Sequence, residues 1–255
     1  MRKLLFLGAF LFPLFGLTQI VPPGLGKTPM AGWVAFGVQH KMDTIKNGGW
    51  TSTSYVGIGR KSNPDSYNLL EKPSIFILNQ EFKHQFYSNW EYILAVSYRT
   101  QFNHADVEPF EKLDPAFKQE FRFYGRLYYV FKTDFVNITP TFRPEFRKFF
   151  TPNFRNYTEN MQIRTRFRIK LDFPLTKDKN HRLILLSEQL LSTTQLNESR
   201  EFSKYKYGDS RFSIYYSTSL KNAPFTLNIG YMNNLIGTKN PFPAHHIAFD
   251  IILKI

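Results

Sequence analysis

The chain has 255 residues, with 33 Lys plus Arg against 20 Asp plus Glu for a formal charge of +13, and 17% of it is aromatic, including 27 Phe and 14 Tyr. So many rings exclude a disordered chain. The absence of cysteine excludes a disulfide framework, a Cys-based zinc site, a thiol nucleophile and a lipidated Cys anchor. The length suits a single all-β domain.

Residues 1–18 read as a cleaved signal peptide. Arg2 and Lys3 form a positive n-region, Leu4 to Leu17 an apolar h-region, and small residues near Gly16 offer a cleavage site before Gln19. The apolar run is shorter than the ~18–20 residues of a membrane helix, and Pro13 interrupts it. Residues 19–30 then form an N-terminal linker. Within it Gly24-Leu25-Gly26-Lys27-Thr28 imitates the end of a phosphate-binding loop, but the motif needs glycine where Val21 stands and a strand before it.

From residue 31 onward the pattern has period two, which places successive side chains on opposite faces of a strand. Weak alternation marks 31–40, 50–60 and 74–84. It strengthens over 90–102, where Glu91, Ala95, Ser97 and Arg99 alternate with Trp90, Tyr92, Leu94, Val96 and Tyr98. Over 118–132, Glu120, Arg122, Tyr124 and Arg126 alternate with Phe121, Phe123, Gly125 and Leu127. Window 135–149 carries Arg143, Glu145 and Arg147, with Pro140 and Pro144 together on the other face. Because proline lacks the ladder donor, a bulge at Pro140 and a strand end before Pro144 are expected. The clearest window is 161–173, with Gln162, Arg164, Arg166, Arg168, Lys170 and Asp172 on one face and Ile163, Phe167, Ile169 and Leu171 on the other. In 181–192 Glu188 is the isolated acid of an otherwise apolar stretch from Leu183 to Leu191. Past Gly208-Asp209-Ser210, Arg211, Ser213, Tyr215 and Ser217 alternate with Phe212, Ile214 and Tyr216. Windows 225–231 and 246–255 complete the set.

These eleven windows predict an all-β fold, a single antiparallel transmembrane β-barrel of 10–12 strands over 31–255. Short connections alternate with the long polar stretches 60–73, 103–116, 151–158 and 194–208, the layout of outer-membrane barrels. The windows exceed the ~5–6 residues of a typical strand and match the ~9–11 tilted residues needed to cross a bilayer. Aromatic residues near window ends (Trp33, Trp50, Phe86, Tyr87, Trp90, Phe102, Phe149, Phe150) are read as interfacial girdles. The chain closes on an alternating strand ending at Ile255, as outer-membrane assembly signals do, although most end in Phe or Trp. Bacterial barrels have an even strand count. Eleven windows therefore predict ten strands, if 31–40 is not a full wall strand, or twelve, if a further strand hides near the N-terminus.

The stretches GWVAFG, WEYILAVSYRTQF, RFYGRLYYVFK, QIRTRFRIKLDF, LLSEQLL and SRFSIYYSTSL resemble the Bacteroidetes family known as domain of unknown function 2490, over nearly all of the mature chain. The resemblance implies an outer-membrane β-barrel with no assigned activity and brings no catalytic residues.

With polar faces inward, the lumen-lining candidates are Arg99, Glu120, Arg122, Arg126, Arg143, Glu145, Arg147, Arg164, Arg166, Arg168, Glu188 and Arg211. Opposite charges on neighbouring strands predict a ladder of ion pairs, favoured over an anion-favouring solute path because so few strands leave little channel. Glu188 in particular is expected to pair with a lumenal arginine. The expected role is structural or narrow-pore, with outer-membrane lipid and the barrel-assembly machinery as partners, and neither cofactor nor nucleic acid. Two alternatives stand beside it: an outer-membrane lipid hydrolase or acylase, which needs a Ser–His pair that Ser97, Ser213 and Ser217 do not signal, and a soluble periplasmic lipid-binding barrel with the faces reversed. The six histidines show no metal-ligand spacing.

Overall fold

The structure, a computed structural model, describes residues 22–42, 49–221 and 223–255; the expected signal peptide lies outside the described residues. No helix occurs among them. The strands are β1 (Met30–Lys41), β2 (Trp50–Lys61), β3 (Lys72–Gln85), β4 (Trp90–His104), β5 (Lys112–Tyr129), β6 (Phe131–Lys132), β7 (Asn137–Phe150), β8 (Asn156–Pro174), β9 (His181–Leu196), β10 (Lys206–Ser219), β11 (Phe225–Ile236) and β12 (Phe242–Lys254).

Each strand pairs with its sequence neighbours except β5 and β6, which do not pair with one another and both pair with β7. The two-residue β6 continues β5 past Val130, so the twelve segments make eleven wall strands. The count is therefore neither ten nor twelve. All eleven windows are wall strands, including the first, and the parity is resolved at the seam. There β1 runs parallel to β12 from Met30 opposite His245 to Gln39 opposite Lys254. The other strand pairs are antiparallel. An odd number of strands in an up-and-down meander must close on one parallel pair. It also puts the start of β1 and the end of β12 at opposite ends of the barrel. Loops 62–71, 105–111, 151–155 and 197–205 gather where β1 begins, while turns 86–89, 133–136 and 175–180 lie where β12 finishes. In the last of these turns Asp178 is held below the usual carboxylate range by hydrogen bonds from the Thr176 hydroxyl, from Lys221 and from the Asn180 backbone.

Neither proline bends or ends β7. Tyr124 faces Glu145, Leu127 faces Phe142 and Phe131 faces Ile138 in one unbroken register, but the β5–β7 ladder is open opposite Pro144 and again opposite Pro140. The partners on β8, Ile169 and Thr165, remain paired. The missing N–H groups thus fall on the β5 side, where they cost ladder bonds rather than a bulge or an early stop. The gap opposite Pro140 is where β5 gives way to β6.

Alternation sorts the faces. Along β8, Arg164 and Arg166 are buried while Phe167 and Ile169 are exposed, Ile169 by 54%. The same inversion, apolar side out and polar side in, holds on β5, β7 and β10, while β4 turns Ile93 and Ala95 inward beside Ser97 and Arg99. The interior is nevertheless divided. Around the β1–β12 seam it is apolar, with Ala31, Trp33, Ala35, Ile75, Ile77 and Tyr215 among its members. Around β5, β7 and β8 it is charged.

Two residues assigned to the girdles belong to this interior. Trp33 and Phe149 are each 1% exposed. Trp33 shares the inward parity of Ala31 and Ala35, and its indole Nε1 donates to Asp250 Oδ1 at 3.1 Å. Phe149 shares the parity of Glu145 and Arg147 and lies between the cations of Lys118 and Arg147, 5.1 and 4.7 Å from its ring.

The described part of the N-terminal linker is not free. Leu25 is buried in the apolar half, and the Thr28 hydroxyl bonds the Ser62 carbonyl at 3.0 Å. Gly24 lies against the Arg211 guanidinium. Residues 22–28 therefore pack into the mouth of the barrel at its long-loop end, and the loop-like GLGKT stretch has a packing role.

Candidate functional site

The charged half of the interior is built from inward positions on six adjacent wall strands, β4, β5, β7, β8, β9 and β10. At its centre Glu145 is 0% exposed and has four guanidinium groups within ion-pair distance: Arg122 at 3.1 Å, Arg143 at 2.8 Å, Arg164 at 2.6 Å and Arg166 at 2.9 Å. Only Arg164 is aligned for hydrogen bonding, giving Nε and Nη2 to the same Oε2 at 2.8 and 2.6 Å. The other three approach at angles that make contact between charges without a hydrogen bond.

The ladder continues to either side. Glu120 accepts from Arg122 Nε at 2.6 Å and, through both oxygens, from Arg147 at 2.9 and 2.7 Å, a two-point clamp. Arg99 faces Glu120 directly across the β4–β5 register. Glu188, the isolated acid of its window, meets Arg166 at 2.9 Å, Arg168 at 2.6 Å and Arg211 at 3.4 Å. Arg166 thus bridges Glu145 and Glu188, and Arg122 bridges Glu145 and Glu120, so three carboxylates and seven arginines form one connected network. Arg126 stands apart, paired with Glu81 at 3.3 Å, and the Tyr124 hydroxyl donates to that same Glu81 oxygen at 2.5 Å. The Arg143 guanidinium lies 3.7 Å over the Tyr124 ring.

Every one of the twelve lumen-lining candidates therefore points inward. Arg211 is joined both to the network and to Asp209, at 3.1 Å. Alternation sets Glu91 and Asp172 on the polar face, but it does not single out their partners. Arg182 clamps Asp172, and Lys83 pairs with Glu91 at 3.3 Å. Among the described residues, Asp250, in the apolar half, has only the Trp33 indole as a hydrogen-bond donor, and neither ring nitrogen of the buried His246 has a hydrogen-bond partner. Inward parity places Asp172, Asp250 and His246 on the inner face in the sequence as in the structure. For Arg182 the signal was the even parity it shares with Glu188, easily overlooked because Ile184, Leu186 and Leu190 on the same face are apolar.

Among the described residues no serine hydroxyl is hydrogen-bonded to a histidine. Ser213 and His246 share a row but stand two strands apart, with Met232 between them. No group of three or more His, Asp or Glu residues among the described residues is placed to hold a metal ion. Tyr124 and Phe149 are buried beside the ion pairs, and Trp33 and Tyr215 are buried in the apolar half.

Fold and interior define a closed up-and-down β-barrel with an inverted surface, apolar outside and ion-paired within. Residues 33–242 match the model of the family described as "Protein of unknown function (DUF2490)", and the chain belongs to that family. No curated protein and no solved structure matches it.

Proposed function

We propose that the protein is an exported barrel of the bacterial outer membrane, with a packed interior and a structural rather than a conducting role. The observation that carries this reading is the continuous apolar outer wall. Phe36, Ile58, Val96, Phe123, Phe167, Ile169, Ile214, Ile229 and Ile247 all present side chains outward and exposed. In water such a belt far exceeds the few hundred Å² that a soluble monomer tolerates; in a bilayer it is the required surface. Strands of 12 to 19 residues exceed the ~9–11 needed to cross.

Outward aromatic residues at both ends of the barrel support it. At the short-turn end Trp50 stacks on His84 at 4.6 Å, Trp90 meets Tyr129 at 5.0 Å and Tyr129 meets Phe131 at 4.5 Å. Towards the long-loop end Phe150, the last residue of β7, meets Phe121 at 5.9 Å, and Phe121 meets Tyr98 at 5.3 Å. Rings at both levels suit the two membrane–water interfaces. The terminal strand β12, apolar outward at Ile247, Phe249 and Ile251, is the segment for the assembly machinery to engage during insertion.

Two measurements test this. Carbonate-washed membranes are expected to retain the protein, and it is expected to migrate heat-modifiably in detergent gels; a monomer held in aqueous extract without detergent would refute the reading in favour of a soluble barrel. In planar bilayers the folded protein is expected to show no steady single-channel conductance, because buried side chains occupy the lumen. A reproducible anion-selective conductance would replace the structural role with a narrow pore lined by the arginine excess.

A further inference from the structure

A furrow of about 820 Å³ crosses the outer wall from β1 to β8, within the size range of ligand sites. The register explains its shape. One ridge is a row of outward side chains from Val38 to Phe146, the other a row from Phe36 to Lys148 and Met161, with the strand backbone as the floor. Seven wall strands give six spacings of ~4.8 Å, so the furrow extends roughly 29 Å along the wall. Half of a hydrocarbon core is ~15 Å, and an extended acyl chain fits within the furrow.

The polar groups of the furrow differ in what they leave unmet. Ser54 and Gln80 hydrogen-bond each other, and Gln80 Nε2 also donates to the Ser52 hydroxyl at 2.7 Å. Lys148, at the β7–β8 end, is different. Its ammonium donates to Asn160 Oδ1 and lies 5.6 Å over the Phe150 ring, and no carboxylate among the described residues is within ion-pair distance of it. A cation fixed at one end of an apolar furrow, near the long-loop edge of the wall, complements an amphiphile with an anionic head and a hydrocarbon tail.

We propose that this furrow is a binding site for one anionic phospholipid of the surrounding membrane, with its phosphate at Lys148 and an acyl chain along the furrow between the Phe146 and Phe36 ridges. The inference rests on the membrane placement argued above and adds to it a specific, headgroup-selective site, in contrast to an annulus of exchangeable lipid.

The test uses the full mature chain reconstituted in vesicles of equal phosphatidylglycerol and phosphatidylcholine with matched acyl chains, then exchanged into mild detergent for native mass spectrometry. One retained phosphatidylglycerol per barrel is expected. Lys148→Gln is expected to lower its retention on the order of fivefold, the worth of one basic residue at a membrane surface, and Lys148→Arg to restore it. Val96→Trp, at an outward position 53% exposed, fills the furrow and is expected to reduce retention of either lipid; heat-modifiable migration shows that each variant is folded. Equal retention of the two lipids, or indifference to both Lys148→Gln and Val96→Trp in folded barrels, would overturn the site while leaving the membrane reading intact. A chain that never enters the vesicles would overturn both.

Discussion

Glu145→Gln is expected to be among the most destabilising single substitutions in the chain. The carboxylate is the shared counter-charge of Arg122, Arg143, Arg164 and Arg166, all within 3.1 Å and at most 10% exposed. Glutamine keeps the volume but turns one acceptor oxygen into an NH2 donor and removes the charge, leaving four guanidinium groups packed against one another. Breaking a buried ion pair by neutralising one partner costs about 3–5 kcal/mol, and here one change undoes several pairs. The readout is the urea midpoint of folded protein in detergent micelles. Neutralising a cation instead, as in Arg143→Gln, is expected to cost far less, because three arginines remain for Glu145. The double change Glu145→Gln with Arg164→Gln should be milder than Glu145→Gln alone. If Glu145→Gln and Arg143→Gln shift the midpoint equally, the network does not depend on its acids in the way described.

The second large effect concerns two glycines of the seam. The Trp33 ring lies over Gly57 and the Tyr215 ring over Gly230, so closely that a β-carbon on either glycine would meet ring carbons at 2.2 Å. These rings cannot back away, since both are buried in the apolar half with Ala248 and Ile252 around them. Gly57→Ala and Gly230→Ala are each expected to cost about 1–3 kcal/mol through overpacking. Gly125→Ala supplies the contrast: its β-carbon would meet nothing closer than Pro144 Cγ at 3.9 Å, on the outer face, and the change is expected to be neutral or mildly stabilising. Equal tolerance at all three sites would show that the rings are not held against the backbone.

The eleven strands could be read from sequence because each carries its own period-two signal, and a strand of 12 to 19 residues repeats that signal many times. The inward acids and arginines of β5, β7 and β8 could be read for the same reason. The closure could not. Whether β1 meets β12 in parallel is decided by residues over two hundred positions apart, and nothing in MAGWVAFGVQHK records it. The expected even count rested on a general property of bacterial barrels rather than on these residues. Trp33 misled for a local reason: its inward neighbours Ala31, Ala35 and Gly37 are small, and the face of a strand lined by small residues does not look like an interior. Phe149 was legible, since it shares the parity of Arg143, Glu145 and Arg147, but its place near a window end favoured a girdle. The prolines were read for the right physical defect and the wrong remedy. A missing donor need not bend a strand when the pairing on its other side holds, as it does between Pro144 and Thr165 and between Pro140 and Ile169. Residues 22–28 have no periodicity to read, and their place in the mouth follows from a fit between Leu25 and the Gly59–Ile75 surface.

The divided interior has a consequence for the wall. Where ion pairs line the lumen, each strand is tied to the next by charge-assisted bonds as well as by its ladder, and the β5–β7 ladder can open at two prolines without loss of register. Where the parallel pair closes the barrel, the same cohesion comes from rings packed on glycine and alanine.

The orientation of the two faces is tested most directly by nitroxide side chains attached one at a time to cysteines, which the native chain lacks. Labels at Val96, Phe167, Ile169, Ile214 and Ile229 in reconstituted vesicles are expected to collide freely with oxygen and scarcely at all with a water-soluble nickel chelate, whereas a label at the inward Ser213 is expected to be shielded from both. Outer-wall labels relaxed by the chelate, with oxygen giving no advantage, would place that wall in water and contradict the account.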